Sequence, residues 1–159
     1  MEAITITLNG REVSGNPGMT ILELARESGV DIPTLCNQPQ LAPFGACRIC
    51  LVEEARTGAL LASCVTPIAP GMVVNSQSLK VQERRKTIIK LMLASHPDSC
   101  LVCDKGNRCE LRHIAADMGI GLVDLQRIPQ SATIEDVNPF IERDLSKCIL
   151  CAKCVRADQ

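Results

Sequence analysis

Tryptophan and tyrosine are absent from the sequence, and only two phenylalanines occur in its 159 residues. Any core must therefore be assembled from Ile, Leu, Val, Met and Ala. A surplus of charge is missing too. Seventeen basic and eighteen acidic residues leave a net charge of −1, which argues against a nucleic-acid or membrane surface as partner. No apolar run approaches the length of a membrane span. The opening residues MEAITITLNG provide neither a basic nor an apolar leader region, so no secretory signal is expected. Nucleotide-binding and hydrolytic signatures are lacking as well. Gly119-Ile120-Gly121 is only a G-x-G, no Walker A loop is present, and no Ser/His/Asp arrangement has supporting context. No substrate-converting site is expected in this chain.

Cysteine, by contrast, is in excess, with ten residues. In a secreted chain these would be disulfides, but without a leader they read better as metal ligands in a reducing, cytoplasmic setting. The length allows one ordinary domain or two or three very small ones.

The stretch His96–Cys109, HPDSCLVCDKGNRC, places one imidazole and three thiols at His-x3-Cys-x2-Cys-x5-Cys spacing. Cys-x2-Cys lets two thiolates of one turn reach neighbouring metal positions, and iron–sulfur clusters are held by four such ligands. Zinc also accepts three thiolates and one imidazole, so this stretch alone does not name the metal. Gly106 and Asn107 are expected to supply the tight bends of the loop.

Residues 1–79 read as a small mixed domain. Ile4, Ile6 and Leu8 alternate with Thr5 and Thr7, Asn9-Gly10 signals a hairpin, and Arg11-Glu12-Val13 starts the return strand. Asn16-Pro17-Gly18 is a second turn. Thr20 and Glu23 form a T-x-x-E capping box for a short helix with Ile21, Leu24, Ala25 and Ser28 on one face, ending at Gly29. Ile49, Leu51 and Val52 suggest a strand leaving the Cys47–Cys50 loop, and Leu60, Leu61 and Ala62 its return. Cys36, Cys47, Cys50 and Cys64 stand at C-x10-C-x2-C-x13-C, which differs from the plant-type ferredoxin spacing. Gly45 and Ala46 are expected to offer backbone N–H groups to cluster sulfurs. Structural zinc is the alternative.

This spacing, with its strand–turn–strand–helix start, resembles the 2Fe-2S ferredoxin-like domain of iron-only hydrogenases, NAD-linked formate dehydrogenases and the large iron–sulfur subunit of respiratory complex I. The resemblance implies a β-grasp fold and one 2Fe-2S cluster on Cys36, Cys47, Cys50 and Cys64.

From Ser78 the pattern becomes helical. Val81, Ile88, Leu91, Met92 and Ser95 are expected on one side, with Glu83, Arg84, Arg85 and Lys86 as a solvated face. Pro97 ends the helix beside His96. His113 falls off the apolar face formed by Leu111, Ile114, Ala115 and Met118 and reads as a surface residue. The run VQERRKTIIKLMLASHPDSCLVC, followed by GNRCELRHIAADMGI, resembles the His-ligated 4Fe-4S domain of the same families. That resemblance implies His96, Cys100, Cys103 and Cys109 as ligands of a 4Fe-4S cluster.

After a polar connector from Pro129 to Asp136, NPFIERDLSKCILCAKC brings Cys148, Cys151 and Cys154. C-x2-C-x2-C opens a bacterial ferredoxin motif, but the position of its usual fourth cysteine holds Asp158. Ten cysteines and His96 give eleven ligands, one short of three clusters. A second 4Fe-4S cluster is thus expected to be incomplete here, as in a truncated piece of a longer protein. The expected fold class is α+β. It comprises a 2Fe-2S ferredoxin-like domain over 1–79, a small helical His-ligated 4Fe-4S domain over 80–128, and a connector with a partial ferredoxin-type segment over 129–159.

The implied function is passage of single electrons between clusters within a larger redox enzyme. The implied partners are a flavin/NAD-binding diaphorase-type subunit and a hydrogenase or formate dehydrogenase catalytic subunit. They do not include nucleic acid or an inserted membrane. The alternative class is a zinc-stabilised scaffold docking a partner through the Ile88–Leu93 helix.

Overall fold

The computed structural model describes residues 3–128 and 134–158. The chain divides into two compact units, one comprising 1–85 with 152–159 and the other 86–151.

The first unit is built on a five-stranded mixed sheet. Strands β1 (Ile4–Leu8) and β2 (Arg11–Gly15) form an antiparallel hairpin. Asn9 and Gly10 turn it at φ 51° and 79°. Two consecutive left-handed residues match the right-handed twist of a tight hairpin, which is why the Asn-Gly pair is a reliable signal. Along β1, Ile6 and Leu8 are buried while Thr5 is exposed, the period-two pattern of a sheet with one covered face.

Helix α1 (Ile21–Glu27) covers that face. Thr20 caps it through a complete capping box with Glu23. Ile21, Leu22, Leu24 and Ala25 are buried. Ser28 is not part of that face: it is the exposed C-cap, and Leu22 takes its place in the core. Strands β3 (Leu51–Glu54), β4 (Ala59–Ala62) and β5 (Val73–Asn75) complete the sheet in the order β2-β1-β5-β3-β4. The central strand β5 runs parallel to β1 and antiparallel to β3. Ile6, Leu8, Leu22, Leu24, Val52, Ile68 and Val74 form the core, joined by Cys50 and Cys64. Burying each large aliphatic side chain contributes about 1.5–3 kcal/mol, so a core without aromatics suffices. Both phenylalanines are exposed.

Helix α2 (Leu79–Ala94) begins where the Ser78 hydroxyl accepts from the Val81 N–H at 3.3 Å. Its first turn is tied to the β3–β4 turn: Lys80 donates to the Gly58 carbonyl and pairs with Glu53 at 3.5 Å. The buried positions are Val81, Arg85, Ile89 and Ala94, whereas Leu91 is exposed. Arg85 thus lies in the interior and not on the solvated face expected from its basic neighbours.

The second unit carries the C-terminal part of α2, short 3-10 turns at Cys100–Val102, Gly106–Arg108 and Leu145–Lys147, and helix α3 (Glu110–Asp117). Leu111 and Ala115 of α3 are buried and His113 is exposed, as its helical position requires. A two-stranded ribbon follows, β6 (Ile134–Asn138) and β7 (Ile141–Asp144), with an irregular register between Glu135 and Asn138. The expected connector from Pro129 therefore becomes a strand by Ile134, and residues 129–133 lie outside the described residues. Helix α4 (Lys153–Ala157) lies near the end of the chain. The fold class is α+β.

Candidate metal centres

All ten cysteines are free thiols. In the first unit Cys36, Cys47, Cys50 and Cys64 are all buried. They sit in two hydrogen-bonded pairs, Cys36 with Cys47 and Cys50 with Cys64, and Cys64 feels the charge of the other three. The fold holds these thiols in place through backbone bonds at the start of α1. The first N–H groups of a helix have no partner within it. Here the Ile21 and Leu22 N–H groups donate to the carbonyls of Thr66 and Ser63 at 2.9 and 3.0 Å, on either side of Cys64. Capping α1 and fixing Cys64 are one act.

Ser63 fixes Cys50 in turn. Its hydroxyl donates to the Cys50 carbonyl at 2.7 Å and its N–H to the same oxygen at 3.2 Å. Ser63 is fully buried, and no sequence pattern singles it out. Across the site, Arg26 of α1 donates to the Asn37 amide oxygen at 3.0 Å, beside Cys36.

The electrostatics of the four thiols diverge. The hydrogen bond from Cys64 draws the Cys50 thiol down to about 6 against the opposition of burial, helped by the Cys64 backbone and the Ser63 side chain. Cys64, as donor to Cys50 and as a buried thiol among others, is pushed up. Burial raises Cys47, against backbone hydrogen bonds from Ile49, Leu35 and Cys36. The Cys47 N–H points at the Cys36 sulfur, 3.5 Å away. Gly45 is constrained by its backbone conformation and by a close neighbour. It has φ 68°, and a Cβ there would stand 3.3 Å from two Val65 methyls. Arg48, between Cys47 and Cys50, is held at φ 58°, a left-handed conformation that costs a non-glycine residue about 1–3 kcal/mol and concentrates at functional sites.

In the second unit His96, Cys100, Cys103 and Cys109 line one small cavity, together with Gly106, Arg112 and Lys147. The His96 Nδ1 lies 3.2 Å from the Pro97 carbonyl. With the ring proton on Nδ1 donated there, the Nε2 lone pair is left for a metal. Arg127 clamps this turn, donating to the His96 carbonyl at 2.6 Å and pairing with Asp98 at 2.7 Å. No local motif marks Arg127, because its partners lie some thirty positions upstream. Gly106 is required by proximity and not by bending. Its φ is ordinary, but an added Cβ would meet the Cys100 carbonyl oxygen at 2.8 Å. Cys109 stands at the N-cap of α3, where the helix dipole favours negative charge.

Around the third set, Leu150 and Ala152 are both left-handed at φ 54°, and the Leu150 N–H points at the Cys148 sulfur, 3.4 Å away. Cys148 and Cys154 are exposed and Cys151 is half-buried. Of the left-handed non-glycine residues Asn9, Arg48, Leu150 and Ala152, the last three fall inside Cys-x2-Cys segments. Among the described residues no group of three or more His, Cys, Asp or Glu side chains closes on a single metal-ion point. The donor set of the first site, soft thiolates in two adjacent pairs with an N–H group aimed at sulfur, fits a sulfur-rich two-metal group.

Such sites define an iron–sulfur protein, and comparison with known proteins agrees. Residues 1–79 match the model of a 2Fe-2S iron–sulfur cluster binding domain, and residues 85–123 that of the NADH-ubiquinone oxidoreductase-G iron–sulfur binding region. The chain is 39% identical over 159 residues to the NADP-reducing hydrogenase subunit HndD of Solidesulfovibrio fructosivorans, covering 97% of this chain and 27% of that one. It is 34% identical to the mitochondrial NADH-ubiquinone oxidoreductase 78 kDa subunit of Candida albicans, covering 96% and 22%. A crystal structure of an NAD+-reducing NiFe-hydrogenase in the H2-reduced state superposes with a TM-score of 0.92 at 34% identity, covering 98% of this chain and 65% of that chain. The chain belongs to the iron–sulfur region shared by such hydrogenase subunits and the large iron–sulfur subunit of respiratory complex I. It spans about a quarter of the length of these curated relatives.

Proposed function

We propose that the chain is an electron-transfer module of a multi-subunit redox complex, with three ligand sets. Cys36, Cys47, Cys50 and Cys64 would hold a 2Fe-2S cluster in a β-grasp domain over 1–79. His96, Cys100, Cys103 and Cys109 hold a 4Fe-4S cluster in a domain over 80–128. Cys148, Cys151 and Cys154 contribute three ligands to a second 4Fe-4S cluster in the segment 129–159. The observation that carries this reading is the first site: four buried, free thiols in two pairs, anchored by the α1 cap and by Ser63.

Bound in these sites, the clusters take up and release single electrons. The protein's part is to hold them dry, rigid and electrostatically poised. The buried setting of Cys36, Cys47, Cys50 and Cys64 keeps water from the sulfurs, and N–H groups directed at sulfur offset the charge added on reduction. His96 replaces a thiolate by a neutral ligand, which makes its site less negative than an all-cysteine one. The substrate chemistry belongs to partners, for which the relatives' names suggest hydrogenase, NADPH-linked or NADH-linked complexes. A flavin/NAD-binding diaphorase-type subunit and a hydrogenase or formate dehydrogenase catalytic subunit fit this role. No helix among the described residues is long and apolar enough to cross a membrane, and the proposed location is cytoplasmic.

Iron and acid-labile sulfide analysis of anaerobically purified protein tests the reading. Iron with matching sulfide, and a rhombic EPR signal after reduction that disappears in Cys50→Ser, is the expected result. Zinc without sulfide would overturn it in favour of a structural scaffold.

A further inference from the structure

Arg85 is the one charged side chain among the described residues that is buried, at 3% exposure. Its Nη2 donates to the Leu51 carbonyl at 2.5 Å, immediately after Cys50. Its Nε is buried with no hydrogen-bond partner. No carboxylate among the described residues is close enough to form an ion pair with it, although Asp31 acts on it through space, as does Cys50. A buried guanidinium with one neutral acceptor is costly unless a counter-charge faces it. Burial pushes the Arg85 pKa below its ordinary value, and the opposing field that favours its charge comes from Cys50 and then from Asp31. Helix α2 therefore delivers a fixed positive charge to the backbone beside a proposed cluster ligand.

We propose that Arg85 is the built-in counter-charge of the first iron–sulfur site and sets that site's redox poise by favouring the reduced state. The inference rests on the ligand reading given above. A 2Fe-2S group bound by four thiolates is negative, and one-electron reduction adds one more negative charge. A cation in a low-dielectric interior favours the more negative state. The same charge helps the ligands themselves to remain thiolates. Arg85 touches the Leu51 carbonyl and not the sulfur, so it is a positioning and electrostatic residue, and not a ligand.

The test is an EPR-monitored redox titration of the 159-residue chain, carried out anaerobically with dithionite as reductant. Arg85→Met, similar in length and uncharged, should retain two-iron content and show a more negative midpoint. At the wild-type midpoint its reduced-to-oxidised ratio should fall several-fold. Arg85→Lys, which keeps the charge, should return the midpoint toward wild type. A fully loaded Arg85→Met with an unchanged midpoint would overturn the proposal. If Arg85→Met does not assemble, Arg85→Lys decides: an assembled site with a near-wild-type midpoint supports charge, and failure like that of Arg85→Met shows that only shape matters and overturns it. Loss of the two-iron signal from the unaltered chain would count instead against the ligand reading.

Discussion

The Arg156 guanidinium donates to the Cys36 carbonyl at 2.6 Å, across 120 positions of sequence. Its other terminal nitrogen donates to the Ala42 carbonyl, and the group lies 5.5 Å from the centroid of the Phe44 ring. One side chain thus fastens the segment 152–159 to the loop that carries the first two cysteines.

Loss of that fastening should loosen the loop. Arg156→Ala should raise hydrogen exchange at the amides of residues 36–44 and lower the urea midpoint of the first unit. Two hydrogen bonds from a cation to backbone oxygens, partly open to solvent, contribute about 1–3 kcal/mol together. Arg156→Lys should rescue little, because one ammonium cannot replace a planar fork that also lies over a ring. Unchanged exchange in Arg156→Ala would remove the fastening role.

His96 offers a test of ligand identity through potential. His96→Cys should keep a four-iron cluster and move its midpoint to more negative values, since a thiolate adds negative charge next to the iron. His96→Ala should leave a labile or three-iron site. Iron content and EPR-monitored titration read both outcomes, and two variants with wild-type content and midpoint would dismiss His96 as a ligand.

The local parts of the fold are legible in the sequence. The Asn9-Gly10 hairpin and the Thr20/Glu23 box depend on neighbours within a few residues, and both stand as expected. The spacing of the cysteines is legible for a similar reason, because ligand spacing is itself the chemistry. The non-local parts are not. Strand β5 is three residues, Val73–Asn75, and exists because β1 and β3 flank it. Arg85 reads as solvated among Arg84 and Lys86, and only the Leu51 carbonyl opposite shows why it is buried. Gly106 reads as a bend residue, whereas the Cys100 carbonyl, six positions back, is what excludes a side chain.

Gly106 yields a sharp mutational contrast with Gly121. Gly106→Ala would place a methyl group 2.8 Å from a backbone oxygen, so the Cys100 turn must shift. Overpacking of this kind costs about 1–3 kcal/mol, and iron should be lost from the His96 site while the two-iron signal persists. A Cβ at Gly121 would meet nothing within 4 Å, and the φ there is not positive. Gly121→Ala should therefore be neutral or stabilising by about 0.4–1 kcal/mol, through the unfolded chain. Equal iron loss in both variants would contradict the proximity argument.

The Asp144–Lys147 pair should make the His96 site sensitive to pH. Asp144 accepts from the Ser146 hydroxyl and N–H at 2.5 and 3.0 Å and pairs with Lys147 at 3.0 Å. The Ser146 hydrogen bond first, and Lys147 second, hold its carboxyl below the ordinary range, while Asp144 in turn raises Lys147. A carboxyl depressed in the folded state contributes stability that is fully present above its unfolded pKa and lost as pH falls through the folded value. A raised lysine contributes stability that is present below its unfolded pKa and lost as pH climbs through the folded one. The pair is thus intact across neutrality and opens at the acid end below the ordinary carboxylate range, and at the alkaline end above the ordinary lysine range. Lys147 is exposed and Asp144 half-buried, so solvent screening keeps the effect on global unfolding small, and the local readout is the informative one. Lys147 lines the cavity of His96 and its three cysteines and feels Cys103 through space. Lys147→Gln should therefore shift the midpoint of that site to more negative values. Asp144→Asn, which frees the lysine, should give a smaller shift and abolish its dependence on pH in the carboxylate range. A midpoint that is the same in Lys147→Gln as in the unaltered chain would remove Lys147 from the electrostatics of the site.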